Sequence, residues 1–280
     1  MNLRSLLVFL DGDERCDARI HLAARFAAAH DSHLVGAAPT GLVELRSGLG
    51  AASRYMDDAA AARAEALQRA SGWVEHFRAR CRAEGVASVE AGVHEGEKAA
   101  AVLHHAHCAD LTVIGQADPA SPSHREDKRF VEQVLLHNAR PTLIVPHAGR
   151  FDAFGEHVLV AWDDSRSSAR ATADALPLLR HAKQVHLRVW RREGEAAERP
   201  IRERLETVHR WLTWQGVVAD VGVERADAAI GDAILAKAAD LGADLIVMGT
   251  YGHSRWTERI VGGVTRTALA RSPVPLLMSH

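Results

Sequence analysis

Few cysteines, no long apolar run and almost no net charge: each shortage removes a class of protein. Only Cys16, Cys81 and Cys108 occur among 280 residues. Their odd number and wide spacing make a poor disulfide framework and suit a reducing compartment. No apolar run approaches the roughly 18–20 residues that span a bilayer. The opening Met-Asn-Leu-Arg-Ser leads into an apolar run at 6–10 that is too short for the core of a signal peptide, and it stops in Asp11-Gly12-Asp13-Glu14. A cytoplasmic chain without a membrane segment is the expectation. Lys and Arg (34) nearly balance Asp and Glu (36), a net charge of −2 with His neutral. Such a balance gives no general attraction to nucleic acid or to an anionic membrane. The signatures of common chemistries are missing as well. There is no GxxxxGK[ST] phosphate loop, no GxGxxG after the first strand, no HExxH and no GxSxG. An enzyme is not expected, and slow ATP hydrolysis would lack an evident base or metal site.

What the chain does have is repetition. At 280 residues it is long enough for about two domains, and its 47% apolar and 25% charged residues are those of a folded globular protein. ADLTVIG at 109–115 returns as ADLIVMG at 243–249. LLVFLDGD at 6–13 is matched by VLVAWDDS at 158–165, and PTLIVP at 141–146 by PLLM at 275–278. Two copies of one unit are expected, residues 1–148 and 156–280. Within each, short runs of Val, Leu and Ile read as strands buried on both faces, as in parallel sheets. Segments with helical spacing lie between them. Leu67, Ala70, Val74 and Phe77 form one apolar stripe, and Ile201, Leu205, Val208 and Leu212 another. Five strands are predicted per copy. In the second they fall at about 157–162, 184–190, 217–223, 243–248 and 274–278. Alternating β and α implies an α/β fold with parallel sheets covered by helices. Residues 39–57 are extra to the first copy and read as a surface excursion, with a lid as the alternative.

The stretch 249–265 carries the chemistry. It follows a strand, opens a helix, and sets Gly249, Gly252, Gly262 and Gly263 along its path. Glycine permits φ > 0 and lets a ligand approach the amides. Free amides at a helix start favour phosphate. At the carboxyl end of a strand in an open α/β sheet, the loop lies where ligands bind.

This spacing resembles the G-x2-G-x9-G-[S/T] pattern of ATP-binding universal stress proteins, with Gly249, Gly252 and Gly262 in register and Gly263 replacing the hydroxyl residue. Thr265 could supply a hydroxyl only if the helix turns it toward the ligand. Trp162-Asp163-Asp164-Ser165 resembles the family's strand-end Asp-Gly-Ser, with Asp164 where glycine is usual, and Val189 matches the strand end whose backbone meets adenine. The resemblance covers nearly the whole chain. It implies two tandem five-stranded, Rossmann-like (adenine nucleotide α-hydrolase-like) domains forming an intrachain pseudo-dimer through their last strands. It also implies a stress-response role in which the second copy binds ATP or a related adenine nucleotide, with or without Mg²⁺. The site would be Asp163, Val189, Gly249, Gly252, Gly262 and Gly263, with Arg255, Arg259 and Arg266 nearby. The Ser-Gly-Gly-x-Asp-Ser loop of related ATP pyrophosphatases is absent.

The first copy lacks the second glycine. Pro119 and Pro122 remove amide donors, and Asp118, Glu126 and Asp127 bring negative charge; Asp11 alone matches. The alternative reading is a nucleotide-free adaptor using both copies as docking surfaces. Protein partners are expected, a homodimer is open, and neither nucleic acid nor membrane is implied. His104 and Cys108, four apart on a predicted helix, could form a metal pair. Because the second copy lacks the equivalent residues, no metal is expected.

Overall fold

In the computed structural model the structure describes residues 3–13, 15–42, 53–192, 198–227, 229–250 and 262–280. The chain divides into two compact units, residues 3–114 and residues 115–280. The expected excursion at 39–57 lies largely outside the described residues.

The first unit contains β1 (Ser5–Phe9), α1 (Cys16–His30), β2 (His33–Pro39), α2 (Ser53–Ala83), β3 (Val89–His94), α3 (Lys98–Ala106) and β4 (Leu111–Gly115), whose last residue opens the second unit. The strand order is β3-β2-β1-β4, and every pair is parallel. Leu6, Leu7 and Val8 of β1 are all buried although adjacent residues face opposite sides, so the sheet is covered on both faces and an unbroken apolar run is required. Of the predicted stripe of α2, Ala70, Val74 and Phe77 are buried and Leu67 is half-buried, while Ala66 and Cys81 extend the buried face. Burial pushes the Cys81 thiol up to about 12, leaving it an apolar filler.

The second unit contains α4 (His124–His137), β5 (Thr142–Val145), β6 (His157–Ala161), α5 (Arg166–Asp174), α6 (Leu176–Leu179), β7 (Gln184–Arg191), α7 (Glu198–Trp214), β8 (Asp220–Arg225), α8 (Ile230–Asp240), β9 (Leu245–Gly249), α9 (Gly263–Arg271) and β10 (Leu276–Ser279). Its strand order is β5-β10-β9-β6-β7-β8. From β10 to β8 the pairs are parallel. β5 runs antiparallel to β10, with Leu276 opposite Ile144, Leu277 opposite Leu143 and Met278 opposite Thr142. The last strands of the two repeats therefore pair, which is the junction a pseudo-dimer requires.

The repeated Ala-Asp-Leu has a mechanical task. In the first copy the Asp110 carboxylate accepts from the amides of Arg4 and Ser5, at 2.8 and 3.0 Å. In the second, Asp244 accepts from Gly155, Glu156 and His157, at 2.8, 3.0 and 3.1 Å. Each aspartate pins the entry of its copy's first strand, whose amides would otherwise be left unpaired.

The histidine cluster of the first unit is built on a tilted ring pair, His94 and His105, with centroids 4.1 Å apart. His105 Nε2 lies 3.1 Å from His94 Nδ1, and His104 meets the His105 ring edge-on. Among the described residues no group of three metal-ligating side chains occurs. Burial, and then the charge of neighbouring histidines, holds both His94 and His105 below the usual histidine value of 6.5. The unfolded chain thus binds protons more readily. Stability is full above about pH 6.5 and falls as pH drops through the lowered values. Thermal melts between about pH 7.5 and 5.5 should fall less steeply for His105→Asn than for the wild type; parallel curves would remove the pair as a source of acid sensitivity.

Candidate nucleotide site

The site grows from the carboxyl ends of β6 and β9. In the order β9-β6-β7 the chain leaves β6 in one direction for β7 and returns on the other side for β9, so the gap between β6 and β9 is the topological switch point. Asp163 follows β6 and Gly249 ends β9. Between them opens a cavity of about 800 Å³, within the range of small-molecule and cofactor sites. Asp163, Val189, Gly249, Gly262 and Gly263 all line it. Gly252, Arg255 and Arg259 lie outside the described residues.

Each wall has a local cause. The β6–α5 turn is shaped by side-chain acceptors. Asp163 Oδ1 accepts from the Ser165 amide at 3.0 Å, and the Ser165 hydroxyl caps α5 by accepting from the Ser168 amide at 3.1 Å. Asp164 has φ 61°, the left-handed region in which glycine is favoured and Asp is among the better-tolerated substitutes. That explains why the related pattern has glycine at this position. At the opposite wall α9 begins with Gly262 as N-cap, at φ −53° and ψ 146°, without a side-chain cap. A glycine at the N-cap brings no side-chain acceptor of its own to the first amides. Thr265 lines the cavity and is buried.

Gly249, Gly262 and Gly263 are absent from the positive-φ residues, which corrects the expectation that backbone freedom explains them. Gly249 has a packing reason instead. A Cβ there would stand 2.4 Å from the Ser168 nitrogen and 2.6 Å from the Ser167 carbonyl carbon. The first turn of α5 rests on β9 at that point, and only a missing side chain admits it. Among the described residues, a Cβ on Gly262 or Gly263 would meet nothing within 4 Å.

Several lining residues carry no motif. Trp162 and Trp190 come from the ends of β6 and β7, and Arg204 with Ile201 and Leu205 from α7. The apolar stripe found in the sequence runs through Ile201 and Leu205; Arg204, just beside it, is the residue a helical projection would have flagged. Arg192 and Arg266 also line the cavity.

The first copy's equivalents are engaged elsewhere. Asp11 Oδ1 accepts from Arg19 Nη2 at 2.7 Å, and Arg19 is 2% exposed. Burial opposes its charge, but the Asp11 carboxylate beside it raises its pKa above the usual arginine value. A Cβ on Gly12 would touch the Trp73 ring at 3.0 Å, so an indole covers the turn after β1. In the loop after β4, Asp118 accepts from the Ala120 amide at 2.8 Å, and α4 opens with Glu126 and Asp127 in its first turn. Those carboxylates already complement the helix dipole where phosphate would otherwise sit.

The Universal stress protein family model matches residues 155–280. Among solved structures, a universal stress protein from Archaeoglobus fulgidus DSM 4304 aligns over 99% of this chain and 96% of its own, with 18% identity and a TM-score of 0.73. A functionally unknown protein from Pseudomonas aeruginosa PAO1 aligns over 99% of this chain and 92% of its own, with 16% identity and a TM-score of 0.61. At such identities the likeness is one of fold. No curated protein matches the sequence. Residues 155–280 are therefore a domain of the universal stress protein family, and the chain as a whole has the tandem form of that family's fold.

Proposed function

We propose that residues 156–280 form a nucleotide-binding domain that takes ATP or a related adenine nucleotide, with or without Mg²⁺, in a sensing or regulatory role in the stress response. Residues 1–148 form a degenerate copy without a phosphate loop. The observation that carries this reading is the convergence of Asp163, Val189, Gly249, Gly262 and Gly263 on one cavity at the switch point. Asp163 offers a carboxylate to ribose hydroxyls and the Val189 backbone an edge for the base. The glycine-capped start of α9 offers amides to phosphate, with Gly252 on the same loop. No catalytic step is assigned to the site.

A second reading, a nucleotide-free adaptor in a cytoplasmic complex, draws on two observations. Gly263 supplies no hydroxyl, and Gly249 is accounted for by the packing of α5. Among the described residues no helix is long and apolar enough to cross a membrane.

Calorimetric titration of the nucleotide-stripped protein with ATP, with and without Mg²⁺, separates the two. One site per chain at micromolar affinity, about −8 kcal/mol, is the expected outcome, with a change in tryptophan emission as Trp162 and Trp190 meet the ligand. No heat at millimolar ATP at two temperatures, with emission unchanged, would favour the adaptor.

A further inference from the structure

We infer that Arg204 is a ligand-binding residue of the cleft, that it grips the anionic part of the ligand, and that Asp164 both holds it in place and competes for it. The inference rests on the nucleotide reading above and adds to it a residue outside the glycine loop.

Arg204 projects from α7, and its Nη1 donates to Asp164 Oδ2 at 3.1 Å. Its Nε donates to the Pro200 carbonyl at 3.3 Å. A guanidinium has five N–H donors in a planar fork. Two are used here, and the remaining three are available to an anion. Both side chains line the cavity that Gly262 and Gly263 line from the other side. They are half-exposed, 58% for Arg204 and 49% for Asp164, so the pair adds little to stability and its position calls for another explanation. Its members come from two separate elements, the β6–α5 turn and α7. Together they hold a guanidinium on the wall of a cavity that the first residues of α9 also line.

Asp164 is the unexpected partner. The left-handed φ of 61° suits glycine better than any residue with a side chain. A carboxylate at that point restrains Arg204 while adding a negative charge beside an anion site. A phosphate chain entering the cleft would meet Arg204 bidentately, as guanidinium and phosphate geometry favours, and would take it from Asp164. Affinity for the anion is therefore set by an exchange of partners. Removal of Arg204 and removal of Asp164 have opposite effects, a signature that general damage to the cleft cannot imitate.

The test is calorimetric titration of the full chain, wild type, Arg204→Gln and Asp164→Gly, with ATP and with adenosine. Arg204→Gln should weaken ATP about tenfold and leave adenosine unchanged. Asp164→Gly, freed of both backbone strain and the competing charge, should tighten ATP about threefold to tenfold, changes of the size one charged hydrogen bond makes. Arg204→Lys, which keeps the charge without the fork, should fall between wild type and Gln and covers the case in which the Gln variant folds poorly. Equal losses for ATP and adenosine in Arg204→Gln, or weaker ATP binding in Asp164→Gly, would overturn the exchange while leaving the nucleotide site standing. Absence of ATP binding by both the wild type and Asp164→Gly would overturn the nucleotide reading itself, and Arg204's role with it.

Discussion

Gly249→Ala should destabilise the protein by about 3 kcal/mol, the upper end of what overpacking a close-packed site costs, whereas Gly262→Ala and Gly263→Ala should each stay within about 1 kcal/mol. All three are glycine-to-alanine changes in the same cleft wall, so sequence alone would rank them together. The difference lies in what the added methyl meets. At 249 it meets backbone, the Ser168 nitrogen at 2.4 Å and the Ser167 carbonyl carbon at 2.6 Å. Neither can rotate away as a side chain could. Relief requires α5 to lift from β9, which uncovers Ala171 and Thr172 on the buried face of that helix. At 262 and 263 the methyl meets none of the described residues within 4 Å. Thermal unfolding should place Gly249→Ala about 6–12 °C below the wild type and the other two within about 4 °C. A Gly249→Ala protein melting with the wild type would mean that α5 does not press on β9 as described.

Asp11→Ala should cost about 3–5 kcal/mol, because it leaves a buried charge without its partner, while Asp163→Ala at the matching position of the second copy should cost less than about 1 kcal/mol. Arg19 is 2% exposed and its Nε has no hydrogen-bond partner. The Asp11 carboxylate supplies the compensating charge at 2.7 Å. Without it the guanidinium must stay charged in an apolar setting beside the Phe9 ring or break out through the packing of α1. Asp163 is exposed, and its Oδ1 accepts from the Ser165 amide, so its loss falls at the solvent-facing surface, where substitutions cost little. Urea denaturation of the two variants should separate them clearly. Equal midpoints would show that the first copy's acid is no more committed to the fold than the second's. The Asp163 variant then reports on nucleotide affinity with folding held nearly constant.

The fold was legible because its cause is repetition plus burial. Buried parallel strands need unbroken apolar runs, and predicted strands such as 157–162 and 184–190 lie within a residue of β6 and β7. The predicted starts at 217 and 243 run early for a shared reason. Apolar or small residues just ahead of β8 and β9, Val217, Ala219 and Ala243, are buried in the approach to the strand without joining the ladder. The site was legible wherever spacing encodes it, since a strand end and a helix start are marked by Asp163, Gly249 and Gly262. What spacing cannot encode is contact between distant elements. The pressure of α5 on Gly249 and the meeting of Arg204 with Asp164 depend on how α5 and α7 settle on the sheet, and no local pattern announces either. Gly249 illustrates the risk: it fits the phosphate motif and is also the glycine that helix packing demands.

The pairing of β5 with β10 has a consequence for heredity as much as for shape. Residues 142–145 derive from the first repeat, yet they pair with β10, a strand of the second. Severing the chain between the repeats would strip β10 of that neighbour and leave a bare strand edge, an open template for aggregation. A copy without the glycine spacing of the second can thus still be needed by the sheet. In that copy Trp73 packs over Gly12 and Arg19 pairs with Asp11, contacts that serve its outline.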